Sequence, residues 1–271
     1  MKILFLGDVV GRAGRDAVTR YLPDIRARLS IDFVIINGEN AAGGYGITGE
    51  ICRGLYQVGA DVVTLGNHAW DQRETIGYIE SDSRLLRPLN YPAGTPGRGA
   101  ATYKTKDGRT ILVIQLMTRL FMDALDCPFA AVKTELQKYQ LGNTVNAIVV
   151  DIHGEATSEK QAMGVYLDGV VSLAVGSHTH VPTADARVLP KGTGFQTDAG
   201  MCGDYVSVIG MEPTVAVERF VRKLPTARLE PAQGDGMLCG VLVETDERSG
   251  LAKSIAPLRV GKGLTEAWPD R

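Results

Sequence analysis

Short apolar runs recur along the chain and alternate with stretches of helical period. The runs Lys2–Leu6, Phe33–Asn37, Asp61–Leu65, Thr110–Leu116, Asn146–Asp151 and Val170–Val175 are rich in β-branched residues and apolar almost throughout. That is the pattern of strands covered on both faces, with helices as the expected cover. Helical stretches lie between several of them, at Gly14–Leu29, Thr48–Val58, Gln72–Ser81, Pro128–Tyr139 and Ser158–Leu167. In the first of these, Val18, Leu22, Ile25 and Leu29 return at helical spacing. Alternation of this kind predicts an α/β fold on a sheet of parallel strands.

After about Ala184 the texture changes. Arg187–Pro190, Gly194–Asp198 and Met237–Thr245 read as strands of a meander, with a hairpin turn at Lys191-Gly192-Thr193-Gly194 and a further strand at Ser254–Val260. Helical pattern returns briefly around Thr214–Val221. This part is expected to form a second sheet packed against the first through helices. Asn90–Ala100, rich in glycine and proline, reads as a surface loop. With no repeat and no linker, residues 1–271 are read as one domain.

Composition adds exclusions. The formal net charge of −2 offers no field for strong nucleic-acid binding. The apolar run that opens MKILFLGDVVG is shorter than the roughly 7–15 residues of a signal-peptide core, and no segment approaches the ~18–20 apolar residues of a membrane span. Cys52, Cys127, Cys202 and Cys239 are widely spaced and form no CxxC pair, which predicts reduced thiols in a cytoplasmic protein.

The chemistry sits where the strands end. The first ends in Gly7-Asp8, the second in Gly38-Glu39-Asn40, and the third in Gly66-Asn67-His68; later ones end in Asp151-Ile152-His153-Gly154 and Gly176-Ser177-His178-Thr179-His180. Loops at the carboxyl ends of parallel strands converge on one rim, so these groups are expected to meet. All four histidines of the chain lie in these clusters. Taken singly, each group has a plainer reading: Asp8 and Asn67 as caps, Glu39 and Asn40 as turn residues, His153 as a structural histidine. The pair His178 and His180 is the most specific, since i, i+2 spacing at a strand end can aim two imidazoles at adjacent metal positions. A set of carboxylate, amide oxygen and imidazole without thiolate suits iron, manganese or zinc, and there are enough groups for two ions bridged by Glu39.

The order Gly-Asp, Gly-Glu-Asn, Gly-Asn-His, His, Gly-x-His-x-His resembles the calcineurin-like metallophosphoesterases. The strings GDVVGRAGR, NGENAAGGYGIT, GNHAWD, DIHGEATSEK and GSHTHVPTAD are similar to its YmdB-like branch of bacterial phosphodiesterases. Two departures from the wider family stand out. Its first motif, Asp-x-His, is Asp8-Val9-Val10 here, and its bridging aspartate is Glu39. The resemblance implies a sandwich of two mixed β-sheets flanked by helices, with the active site at the strand C-terminal ends. It also implies Asp8, Glu39, Asn40 and His180 on one metal ion, and Glu39, Asn67, His153 and His178 on the other. An amide oxygen in place of an imidazole favours iron or manganese, with zinc next. His68 remains without a metal, and the resemblance makes it the general acid that protonates the leaving alkoxide. Asp71 is read as a helix N-cap ahead of an orienting partner for His68.

The resemblance implies phosphodiesterase activity on small diesters such as 2′,3′-cyclic AMP, in a protein able to form homo-oligomers. Arg12 and Arg15 read as solvated charges at the start of the first helix. Phe121 and Met122, with the Gly43–Gly46 loop, wall a base pocket or else belong to the core. Two alternatives stay open: a phosphomonoesterase acting on nucleotides or proteins, and a regulatory metal-binding protein acting through RNA or a protein partner.

Overall fold

The computed structural model describes residues 1–224 and 227–269. In chain order the elements are β1 (Lys2–Leu6), β2 (Asp8–Val9), α1 (Gly11–Arg28), β3 (Phe33–Asn37), α2 (Gly49–Gln57), β4 (Val62–Thr64), α3 (Glu74–Ser81), β5 (Leu85–Leu86), β6 (Ala100–Lys104) and β7 (Thr110–Met117). They continue with α4 (Pro128–Leu136), β8 (Ala147–His153), α5 (Thr157–Tyr166), β9 (Leu173–Ser177), β10 (Arg187–Val188), β11 (Gly194–Gln196), β12 (Met201–Cys202), α6 (Pro213–Arg222), β13 (Leu238–Thr245) and β14 (Ala252–Val260).

Two six-stranded mixed sheets result, ordered β14-β13-β1-β3-β4-β5 and β10-β11-β9-β8-β7-β6, with β12 and β2 as a separate pair. Each central strand sorts its residues by parity. Ile3, Phe5, Phe33 and Ile35 face Ile111, Val113, Val149, Leu173 and Val175 of the other sheet in one core. Leu4, Leu6, Val34 and Ile36 lie instead in the core that includes Val18, Leu22 and Ile25 of α1. On the second sheet, Leu112, Ile114, Ile148 and Val150 meet Val132 of α4 and Met163 of α5. The strands are apolar throughout because both faces are covered, but one cover is the opposite sheet and the other is helical.

Two features depart from the pattern read along the chain. The sheets meet face to face, not through helices. The last two strands also do not join the second sheet: β13 pairs antiparallel with β1, Leu6 opposite Gly240, and carries β14 outside it. A Cβ at Gly240 would stand 2.3 Å from the Phe5 carbonyl oxygen, so the close approach needs glycine there. β10 and β11 form the expected hairpin, but β11 joins the second sheet parallel to β9. The 90–100 loop is anchored more deeply than its composition suggests. Asn90 is buried, donating to the carbonyls of Met117 and Asp126 and accepting from the Met117 amide. The four cysteines are free. Among the described residues, no helix is long and apolar enough to cross a membrane.

Candidate metal centre

β1, β3, β4, β8 and β9 all end on one rim, and the polar residues that follow their apolar runs meet there. Asp8, Glu39, Asn40, His153 and His180 are buried, although four of these five side chains are ionisable. Glu39, His153 and His178 offer ligand atoms that lie within 4.8 Å of one another. The His153 Nε2 is 3.0 Å from Glu39 Oε1, 2.9 Å from Asn67 Oδ1 and 3.1 Å from His178 Nδ1. A second group forms beside it, where His180 Nε2 faces Asn40 Oδ1 at 3.3 Å. Gly66 makes the crowding possible: a Cβ there would come within 2.3 Å of both Glu39 Oε2 and His153 Nε2.

The donor set fits a cation on three observations. First, Asp8 Oδ1 is buried without a hydrogen-bond partner, a costly state for a carboxylate. Second, the ring proton of His180 goes from Nδ1 to the Ile209 carbonyl at 2.7 Å, and the Asn40 amide nitrogen donates to the Gly44 carbonyl at 3.0 Å. With His180 neutral, both atoms of the His180–Asn40 contact are therefore lone-pair donors, and a cation between them satisfies the two together. Third, the local charges call for positive compensation. Burial is the main influence on Asp8, raising it to about 6 against the pull of His180 and His153. Burial would also raise Glu39, but the adjacent His153 and His68 override it and hold that carboxyl low. Burial would lower His153, yet Glu39, Asp8 and Asp151 outweigh it and raise the imidazole. Burial and the neighbouring His153 together push His178 down.

A buried scaffold orients these groups. Ser177 Oγ donates to Asp151 Oδ1 at 2.6 Å and lies 2.9 Å from His153 Nδ1, so a carboxylate–hydroxyl–imidazole chain sets the direction of Nε2. Asp151 also accepts from Thr64 Oγ1 at 2.6 Å and Asn37 Nδ2 at 3.2 Å, while Asn37 Oδ1 accepts the Glu39 amide. His178 and His180 sit at positive φ, 99° and 65°, an uncommon backbone for histidine. Buried Lys160 holds that turn, donating to the Ser177 carbonyl and to Asp198 Oδ2, which in turn accepts from the amide and hydroxyl of Thr179. Asp8 Oδ2 accepts the His178 amide.

His68 stands apart from the donor groups, over a cavity of about 490 Å3 lined also by Asn67, Asp71, Phe121, Met122 and His178. Its Nδ1 is 2.9 Å from Asp71 Oδ2, and its ring meets Tyr45 edge-on at 5.1 Å. Asp71 is thus the partner of His68 and not a helix cap; α3 begins later, after Arg73. Phe121 is not a core residue either. It is 89% exposed at a φ of 62°, on a segment whose Arg119 and Leu120 amides both donate to Glu159. Arg15 is also not a solvated charge, since it donates to the Ala41 carbonyl and is half-buried. Val10, where the wider family has histidine, is buried.

Asn37, Thr64, Gln115 and Ser177, which all meet Asp151, are not among the candidate donors read from the sequence. Their one signal is a polar residue inside an otherwise apolar strand that is buried on both faces, which must find a buried partner.

Comparison with known proteins agrees across nearly the whole chain. The family model for the YmdB-like protein matches residues 4–258. A 2′,3′-cyclic-nucleotide 2′-phosphodiesterase of Bacillus subtilis (strain 168) is 45% identical over 255 residues, which cover 94% of this chain and 95% of that protein. The crystal structure of a hypothetical protein from Thermus thermophilus superposes with a TM-score of 0.90 at 44% identity, covering 97% of this chain and 100% of that one. A novel phosphatase from Mycoplasma pneumoniae superposes with a TM-score of 0.88 at 31% identity, covering 96% and 93%.

Proposed function

The chain is a member of the YmdB-like family, and on that premise we propose that it is a metal-dependent phosphodiesterase hydrolysing small diesters such as 2′,3′-cyclic AMP. The observation that carries this reading is the pairing of lone-pair donors at Asn40 and His180 beside the Glu39, His153 and His178 group that Asn67 joins, with a further imidazole, His68, on a cavity that Asn67 and His178 also line.

We assign Asp8, Glu39, Asn40 and His180 to one ion and Glu39, Asn67, His153 and His178 to a second, with Glu39 shared. The two are iron or manganese, with zinc the next choice, because oxygen donors dominate the first set. When bound, the ions supply a water acidic enough to attack phosphorus near neutral pH and positive charge for the departing oxygen. The remaining work falls to the chain. Ser177 and Asp151 keep His153 Nε2 turned to the rim. Asp71 holds His68 through Nδ1, leaving Nε2 as the atom that gives its proton to the leaving alkoxide. Phe121, on its fixed loop, offers the base a stacking face at the mouth of the same cavity.

The test is hydrolysis of 2′,3′-cyclic AMP and of p-nitrophenyl phosphate by manganese- or iron-loaded protein. Turnover of the cyclic diester well above that of the monoester is expected. A preference for the monoester overturns the diesterase reading.

A further inference from the structure

A larger cavity, of about 560 Å3, opens beside the Ala41–Gly46 loop and shares that loop with the candidate metal centre. Its lining includes Arg15 from α1, Gln72 from the segment after His68, and Arg228, Glu230 and Gln233 from the chain before β13. The dividing wall is thin. Arg15 donates to the carbonyl of Ala41, next to Asn40, and Gln72 donates to that of Tyr45 at 2.7 Å. The Arg228 guanidinium stands 5.2 Å from the centre of the Tyr45 ring, and the same ring meets His68 at 5.1 Å. At Gly43 an added Cβ would meet nothing within 4 Å, so the loop leaves the cavity open.

The charge here is unbalanced. Arg26, Arg109 and Arg187 stand against carboxylates, whereas others, Arg84 and Arg87 included, have none among the described residues. Among the described residues, neither Arg15 nor Arg228 has such a partner. Glu230 is the one acid in the lining, so two guanidinium groups and two carboxamides outnumber it as donors. Arg228 is exposed and Arg15 half-buried, so both guanidinium groups are accessible to an anion with several acceptor oxygens, and phosphate matches the guanidinium fork.

We propose that this cavity takes a second phosphate of the substrate, the diester one nucleotide before a terminal 2′,3′-cyclic phosphate, so that short oligoribonucleotide ends are better substrates than the mononucleotide. The inference rests on the phosphodiesterase reading for its chemistry. A cyclic mononucleotide has no phosphate to place there, whereas a diribonucleotide spans from His68 past Tyr45 to Arg228. A single added phosphate contact is compatible with a chain of near-neutral net charge, because it demands no basic track along a backbone.

The experiment compares kcat/KM on 2′,3′-cyclic AMP with that on a diadenylate ending in 2′,3′-cyclic phosphate, for the manganese-loaded wild type, Arg228→Gln and Arg15→Gln. The wild type is expected to favour the diribonucleotide by about tenfold, the scale of one charge-assisted hydrogen bond, and Arg228→Gln to bring the ratio close to one. A wild-type ratio near one, or a ratio unchanged in both variants, overturns the proposal. Calorimetric titration of the same proteins with diadenosine 3′-monophosphate supplies a readout free of turnover. Binding that weakens about tenfold in Arg228→Gln supports the cavity assignment even if no cyclic diester is cleaved, which would sink the enzymatic reading alone; binding equal in wild type and variants overturns the assignment.

Discussion

His180 Nε2 and Asn40 Oδ1 face each other at 3.3 Å as two lone-pair donors when His180 is neutral, because its ring proton is given to Ile209 and an Asn40 amide hydrogen to Gly44. Such a contact is favourable around a positive centre. Asn40→Ala is therefore expected to lower bound metal from two equivalents toward one, read by elemental analysis. Manganese should also raise Tm in the wild type, since a ligand at one hundred times its Kd stabilises by about 2.7 kcal/mol, and EDTA should reverse the rise. Equal metal content in wild type and Asn40→Ala would remove Asn40 from the ligand set.

The His68–Asp71 pair predicts a separation of chemistry from metal binding. His68→Ala is expected to keep its metal while losing about 10²–10⁴-fold in kcat, the usual worth of a general acid. Asp71→Asn keeps the side-chain volume but not the charge, and should lose less, about tenfold, without a change in metal content. Metal falling in step with activity in His68→Ala would make His68 a ligand instead.

Ser177 links Asp151 to His153 through Nδ1, on the side of the ring away from Nε2. Ser177→Ala should weaken metal affinity or activity by about 10–100-fold, as expected for a partner behind a ligating imidazole. The fold should survive, because Asp151 keeps Thr64 and Asn37. Circular dichroism checks the fold, and metal titration followed by activity checks the rest; wild-type affinity in the variant would refute the relay.

The pH dependence follows from His153. Burial alone would lower its imidazole, but the Glu39 carboxylate against it outweighs this and raises it from 6.5 to about 9. A group raised in the folded state stabilises the fold fully below its unfolded value, and that stability is lost as pH climbs through the folded value. In EDTA, Tm is thus expected to fall between about pH 6.5 and 9. Manganese should flatten the fall, because a ligating imidazole is neutral across that range. A Tm that rises with pH in EDTA would contradict the charge pattern.

Phe121 is exposed, held at positive φ, and lines the cavity of His68. Stacking of one base on an aromatic ring is worth about 1–3 kcal/mol, so Phe121→Ala should raise KM for 2′,3′-cyclic AMP by about 5- to 150-fold at similar kcat. Phe121→Trp should restore it. An unchanged KM in Phe121→Ala would leave Phe121 outside the substrate pocket.

The chain by itself determined the strand ends. Asp8, Glu39, Asn67, His153 and His178 each follow an apolar run, and in a parallel sheet that position alone brings such residues to one rim. It also determined that the strands are buried on both faces, since a nearly continuous apolar run has no other stable place. Tertiary structure decided what covers those faces and how the site is held. β13 pairs with β1 across more than two hundred residues of chain, and no local pattern encodes such a non-local register. Asn37, Thr64 and Ser177 look like ordinary strand residues until the two sheets bring them to Asp151. Arg15 looks like a surface charge until Arg228 is set across the same cavity. The candidate donor types are a property of side-chain type and strand position; orientation, charge balance and the second cavity come from packing between segments far apart in sequence.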